Sequence, residues 1–254
     1  MKKIIFIFPI ILTLLLSACA TKTGLDKYQG QSAQEIFQGA DKSLTKGDYK
    51  DAAERYEALQ ALYPYGDYAQ QTQLNVIYVY YEDRDYDSCI AAADLYIHLY
   101  PLANNTDYAY YMKALAEFSR NIGFFERYLP LDIAPRDIGS LRQAFSYFND
   151  LLNHYPNSIY APDARQRMIF LRNLLAQHEL QIANYYYARQ AYVAAAERAR
   201  YIIVNFQHTP SVAEALSIMV KSYEKLNLPQ QANEAKAVLE LNYPAQAKRL
   251  LKTS

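Results

Sequence analysis

The 254-residue chain has no tryptophan, only two cysteines (Cys19 and Cys89) and only seven glycines. Two cysteines cannot build a disulfide-stapled scaffold, and they supply no multi-cysteine zinc site. Charge of one sign is also missing: 26 lysines and arginines face 26 aspartates and glutamates. That balance argues against a nucleic-acid binder or a polybasic membrane-surface protein. After residue 16 no stretch is apolar over the roughly 20 residues that a membrane-spanning helix requires. His98, His154, His178 and His208 are scattered, with no HExxH, GxSxG or phosphate-binding glycine loop. Neither a catalytic site, a metal site nor a cofactor site is expected.

The N-terminus carries Lys2-Lys3, an apolar run from Ile4 to Leu16, and Leu16-Ser17-Ala18-Cys19. This is the order of charge, apolar core and small residues found in export signals. The last four residues resemble the lipobox of bacterial lipoproteins. The resemblance implies removal of residues 1–18 and attachment of N-acyl (palmitate-type) and diacylglycerol lipid to Cys19, which no single acyl chain could replace as a stable anchor. It also implies sorting to the outer membrane, because Ala20 stands where an aspartate would signal inner-membrane retention. Loss of Lys2 and Lys3 leaves 24 basic against 26 acidic residues, a net charge of −2. Cys89 is then the single free thiol, so no intramolecular disulfide can form despite the oxidising compartment. Residues 19–31, polar and containing Gly24 and Gly30, read as a lipidated flexible tether.

From about Ser32 onward, apolar residues recur at three- and four-residue intervals with little strand-like alternation, which predicts helix nearly throughout. The helices repeat. Gly47-Asp48-Tyr49-Lys50-Asp51-Ala52-Ala53 leads a segment ending at Tyr63-Pro64, and Arg84-Asp85-Tyr86-Asp87-Ser88-Cys89-Ile90 leads one ending at Tyr100-Pro101, 37 positions later. Similar endings follow at Tyr155-Pro156, Asn205-Phe206 and Tyr243-Pro244. Proline closes a helix because it lacks an amide hydrogen and disfavours helix in the residue before it. Five endings predict five pairs of antiparallel helices. The pattern resembles the tetratricopeptide repeat, whose period is about 34 residues. Ala40 and Ala52 take the small positions where paired helices touch, Tyr56 the aromatic position, and Pro64 the closing one. Cys89 falls at the small position of the second unit and reads as a packed core thiol. Two spacings are longer, 55 residues from Tyr100 to Tyr155 and 51 from Tyr155 to Phe206. They predict an inserted loop at 123–139 and one long helix from about Ala161 to Arg189. The expected fold is all-α, a superhelical array of about five tetratricopeptide helix pairs, with N-terminal units at 32–122 and C-terminal units at 140–254.

The chain has 26 tyrosines, many clustered, as in Tyr78-Val79-Tyr80-Tyr81, Tyr108-Ala109-Tyr110-Tyr111 and Tyr185-Tyr186-Tyr187. Tyrosine joins an apolar ring to a polar tip and suits both helix packing and a partly wet binding groove. Neighbouring residues point about 100° apart around a helix, so each cluster should leave one ring off the core face. Phe37, Tyr78, Tyr81, Tyr108 and Tyr111 lie on the first helices of units one to three, which line the concave side of such arrays. They are the candidate groove for a bound peptide.

Further residues carry a more specific likeness. They are Cys19, Gly123-Phe124-Phe125, Arg136-Asp137, Tyr155-Pro156-Asn157-Ser158 with Tyr160, and Asp163-Ala164-Arg165-Gln166-Arg167-Met168. Leu171-Arg172-Asn173, Ala183-Asn184-Tyr185-Tyr186 and Ala191-Tyr192-Val193-Ala194-Ala195-Ala196-Glu197-Arg198 complete the set. In this order the chain resembles the BamD family, the tetratricopeptide lipoproteins of the outer-membrane β-barrel assembly (BAM) machinery. The resemblance implies a non-catalytic scaffold anchored to the outer membrane and facing the periplasm. Its implied partners are a POTRA domain of BamA, other BAM lipoproteins and unfolded outer-membrane proteins. C-terminal units would dock on BamA, with Arg198 at the matching position, and N-terminal units would receive client targeting signals, which end in an aromatic residue and are held as extended peptides. The competing expectation is a tetratricopeptide pilot lipoprotein for a secretin or pilus machine, a class that lacks the inserted loop and long central helix.

Overall fold

The computed structural model describes residues 24–121 and 138–252, and among them every regular element is a helix. The segment read as an export signal, Cys19 and most of the loop expected at 123–139 lie outside the described residues. Eleven α-helices are present in this range, three in the first of two groups and eight in the second. The fold is an all-α tetratricopeptide-type array. Its helices group into two compact units, divided between Asp83 and Arg84.

The first unit holds α1 (Ala33–Thr45), α2 (Tyr49–Leu62) and α3 (Ala69–Glu82). Ser32 starts α1 with a reciprocal cap: its hydroxyl accepts from the Glu35 amide, and the Glu35 carboxylate accepts from the Ser32 amide at 2.7 Å. The turn into α2 passes through Gly47 at φ +76°, where a side chain would be strained. Asp48 then caps α2 by accepting from the Asp51 amide at 3.2 Å. Ala40 and Ala52 are fully buried, as the repeat requires, so the two backbones approach closely. Tyr28, Ile36, Ala58 and Leu59 form the core beside them.

Residues 24–31, read from sequence as the end of a flexible tether, are instead folded onto α2. Gly24–Lys27 forms a 3-10 turn and Tyr28 is 1% exposed, its hydroxyl donating to Glu54 Oε1 at 3.1 Å. The Tyr63 hydroxyl donates to the Gln31 carbonyl at 2.7 Å. The two glycines suggested freedom, but burial of the Tyr28 ring acts together with the Tyr28–Glu54 and Tyr63–Gln31 hydrogen bonds and the Lys27 ion pairs to hold the segment.

The second unit holds α4 (Tyr86–Leu99), α5 (Thr106–Asn121), α6 (Ile138–His154), α7 (Ala161–Ala188), α8 (Tyr192–Asn205), α9 (Ser211–Lys225), α10 (Pro229–Asn242) and α11 (Pro244–Leu250). Each of these packs on the next, and α9 packs on α7 and α11 as well. Arg84, Gln190 and Asn227 repeat the left-handed turn of Gly47, at φ +63°, +61° and +56°. Non-glycine residues accept this at a cost of roughly 1–2 kcal/mol; after Gln190 and Asn227 the next amide donates to the carbonyl five residues back at 3.0 Å, which holds the turn. The aromatic endings are equally regular. Tyr63, Tyr100, Tyr155, Phe206 and Tyr243 each donate their amide to the carbonyl four residues back at 2.8 Å. The 28-residue α7 confirms the long helix expected between Tyr155 and Phe206 and lies within this unit, against α6, α8 and α9.

Candidate functional site

In the first unit, Phe37 on α1 stacks on Tyr68, ring centres 4.7 Å apart, and meets the edge of Tyr56 at 5.9 Å. Tyr56 is fully buried, and its hydroxyl donates to Asp41 Oδ1 (2.7 Å) and accepts from Asn75 Nδ2 (2.9 Å). Burial, and then the Asp41 carboxylate, push that hydroxyl far above the ordinary tyrosine range. The 78–81 cluster divides as helical geometry demands. Val79 is buried, Tyr80 donates to Glu57 at 2.6 Å, and Tyr81 is partly buried. Tyr78 is left 40% exposed, its hydroxyl raised by partial desolvation and by the nearby Glu82 carboxylate.

The 108–111 cluster in the second unit behaves differently. Tyr108 lies 5.8 Å from Tyr160, and Tyr110 packs on His154 and Tyr155. Tyr111 stacks on Tyr160 at 4.6 Å, and its hydroxyl donates to Asp163 Oδ2 at 2.9 Å. Burial pushes that hydroxyl up to about 12. No ring of this cluster stands clear of the fold. The expectation of one exposed ring fails because the 154–160 turn, tied to α5 by a 2.6 Å bond from Ser158 Oγ to Asp107, covers all three. The 185–187 cluster does leave Tyr185 exposed, with the Arg189 guanidinium 4.8 Å from its ring.

Arg198 stands on α8 beside a group that reading the sequence did not single out. Its Nη1 donates to Glu179 Oε2 at 2.8 Å, and Arg142 Nη2 on α6 donates to the other oxygen at 3.4 Å. Glu179 is only 3% exposed, whereas Arg198 keeps 37% of its side chain in solvent. A buried carboxylate on α7 is thus shared by arginines from the helices on either side, which meets its charge and most of its acceptor sites. Arg198 is therefore neither a freely solvated charge nor without an acidic partner in its own chain. The signal available in the sequence was the four-residue register Leu171, Leu175, Glu179, Ala183, in which one charge interrupts a buried stripe.

Cys89 is fully buried at the small-residue position of α4, and desolvation pushes its thiol up to about 12. It is a packing residue and a poor nucleophile. No group of three or more potential metal ligands occurs among the described residues. Among them, too, no helix is long and apolar enough to cross a membrane.

Successive helices closed by the same aromatic endings define a helical-repeat protein. The chain belongs to the outer membrane lipoprotein family YfiO, which it matches over residues 29–239. Among its relatives is the outer membrane protein assembly factor BamD of Neisseria meningitidis serogroup B, 38% identical over 248 residues, which are 96% of this chain and 92% of that protein. The protein of the same name from Xylella fastidiosa Temecula1 is 32% identical over 231 residues, 91% of this chain and 79% of that one. Among solved structures, Pseudomonas aeruginosa pilF aligns over 90% of this chain and 85% of its own at 16% identity, with a TM-score of 0.40, too loose a likeness to carry further argument.

Proposed function

We propose that the protein is a lipid-anchored, non-catalytic assembly factor for outer-membrane β-barrel proteins, held by Cys19 and facing the periplasm. The observation that carries this reading is the likeness, over 96% of the chain, to relatives named as outer membrane protein assembly factors. The C-terminal unit docks on a POTRA domain of BamA through the surface around Arg198. Geometry supports that role: Arg198 is partly exposed, and Glu179 keeps Arg142 when Arg198 turns toward an acidic group of the partner. Client targeting signals bind on the aromatic side chains of the first helices. Tyr78 offers the most open ring, with Phe37 and Tyr81 on the same unit. On the second unit, Tyr108 and Tyr111 of α5 offer a separate contact, each partly buried against Tyr160. Acyl and diacylglycerol lipid on Cys19 is the one covalent group the reading requires.

Affinity co-purification from detergent-solubilised envelopes tests this reading, with the chain tagged at its C-terminus and Cys19→Ala alongside. Recovery of a large outer-membrane barrel with periplasmic domains, in both versions, is expected. Recovery of a secretin in its place would move the chain to the pilot class and withdraw the Arg198 and groove assignments.

A further inference from the structure

The charged residues of α7 are Asp163, Arg165, Arg167, Arg172 and Glu179, and the last of these is buried. From Asn173 to Ala188, about four turns, the helix therefore brings no carboxylate, lysine or arginine to the surface. Carboxamides stand there in their place. Asn173, Gln177, Gln181 and Asn184 follow at intervals of four, four and three positions, so they share one face of the helix. Helices α6, α8 and α9 pack on α7 and leave this face half-buried at the first three residues and exposed at Asn184. Phe170, 37% exposed, and Tyr185, 54% exposed, stand near its two ends.

This is not the composition that stabilises a solvated helix. Lysine and glutamate would form ion pairs at such spacings, and both favour helix more than asparagine does. Depletion of charge beside exposed aromatic rings is instead the composition of an interface core. A carboxamide offers an N–H donor and a carbonyl acceptor, the same pair that a peptide group carries. Asn184 gives one amide hydrogen to Glu214 Oε1 at 3.2 Å, while Asn173 and Gln181 have no hydrogen-bond partner among the described residues. Positions four apart on a helix are separated by about 6 Å, and peptide groups facing one side of an extended chain recur every two residues, about 6.7 Å. From Asn173 through Gln177 to Gln181 the two spacings stay within about 1.5 Å of each other.

From this match we propose that the carboxamide face of α7 binds an extended, uncharged peptide segment through its main chain, with Phe170 and Tyr185 taking side chains at the two ends. The face has no charge to pair with an ionised ligand, which is why the segment is uncharged. Recognition through the main chain is indifferent to sequence and suits strands that have not yet paired into a sheet. The inference deepens the client-binding part of the proposed function, on which it rests for the source of such segments, and adds a site on the second unit.

The test uses the full-length lipidated protein in detergent and a ten-residue, end-capped peptide of alternating serine and tyrosine, with binding followed by titration calorimetry. Two further peptides carry N-methyl groups on the odd or on the even residues, which removes the donors of one edge and leaves every side chain in place. Asn173→Ala combined with Gln181→Ala is expected to weaken binding at least tenfold with no loss of helicity, and one of the methylated peptides to bind at least tenfold more weakly than the parent. Tyr78→Ala, on the first unit, separates the two sites. Binding that falls with Tyr78→Ala and not with the α7 pair overturns the α7 site and leaves the groove of the first unit standing. Equal binding of all three peptides overturns recognition through the main chain. Failure of the parent peptide to bind overturns the inference, while co-purification decides the assembly-factor reading separately.

Discussion

The two compact units are built from the same repeat yet are stabilised differently. In residues 24–83, buried tyrosines reach polar partners: Tyr28 binds Glu54, and Tyr56 binds Asp41 and Asn75. The unit has a net charge of −5. In residues 84–252 the core is a continuous apolar cluster from Ala114 to Ala247, and α9 buries residues around most of its circumference. Here the full count is 18 basic and 16 acidic residues, and the buried carboxylate of Glu179 is shared by two arginines. A unit of three helices has a thin interior, so the hydroxyls of its buried tyrosines reach polar partners close to the surface. A unit of eight helices can surround one helix completely. The N-terminal unit should accordingly open more easily and suit the capture of extended ligands, while the C-terminal one offers a rigid dock.

The sharpest way to break that comparison is Phe148→Ala, which empties a fully buried ring position in the second unit. It should cost about 3–5 kcal/mol, seen as a lower urea midpoint with faster amide exchange across 84–252 and little change in 33–82. Equal loss in both units would show that they unfold as one. Arg198→Glu comes next. It sets a carboxylate against buried Glu179, and because Arg142 and solvent share the load the loss should lie near the lower end of the roughly 3–5 kcal/mol typical of a broken buried pair. Any effect on partner binding must therefore be read beside a thermal melt, with Arg198→Leu as the gentler variant. An unchanged melting temperature for Arg198→Glu would mean that the pair contributes nothing to the unit.

A smaller effect is expected of Tyr56→Phe, which removes both hydrogen bonds of that hydroxyl while keeping the ring. About 1–2 kcal/mol should be lost, confined by amide exchange to 33–82. The smallest concerns acid. The Arg55 guanidinium, and then the Ser43 hydroxyl, hold the Asp51 carboxyl below its ordinary value. Its stabilisation is complete above the usual carboxylate range and is lost as pH falls through the lowered value. Asp51→Asn should flatten the acid limb of the first unit's helicity below about pH 4 and leave that of the second unchanged. A mutant curve parallel to that of the wild type would place the acid sensitivity elsewhere.

Much of the architecture was legible because it rests on local rules. The five Tyr/Phe endings, the small residues Ala40, Ala52 and Cys89, and the length of α7 are set by neighbours within a few residues. The tether was misread because glycine and polar composition report chain freedom, whereas Tyr28 is held by residues 26 to 31 positions away. The aromatic site was legible in part. Helical spacing predicted one ring off the core face in each cluster, as Tyr78 is, but could not show that Tyr160, about 50 residues further on, covers Tyr108 and Tyr111.

What the sequence determined by itself was the repeat: where each helix begins and ends, which face is apolar, and which family the order of motifs resembles. Those properties follow from hydrogen-bond geometry and periodicity along a few turns of chain. Only the tertiary structure decided which rings remain open and which arginine has a carboxylate beside it. Glu179 meets Arg142 and Arg198 across 37 and 19 positions of chain. Such pairings depend on how helices cross, and the spacing of residues along one helix carries no record of the side chains that a neighbouring helix presents to it.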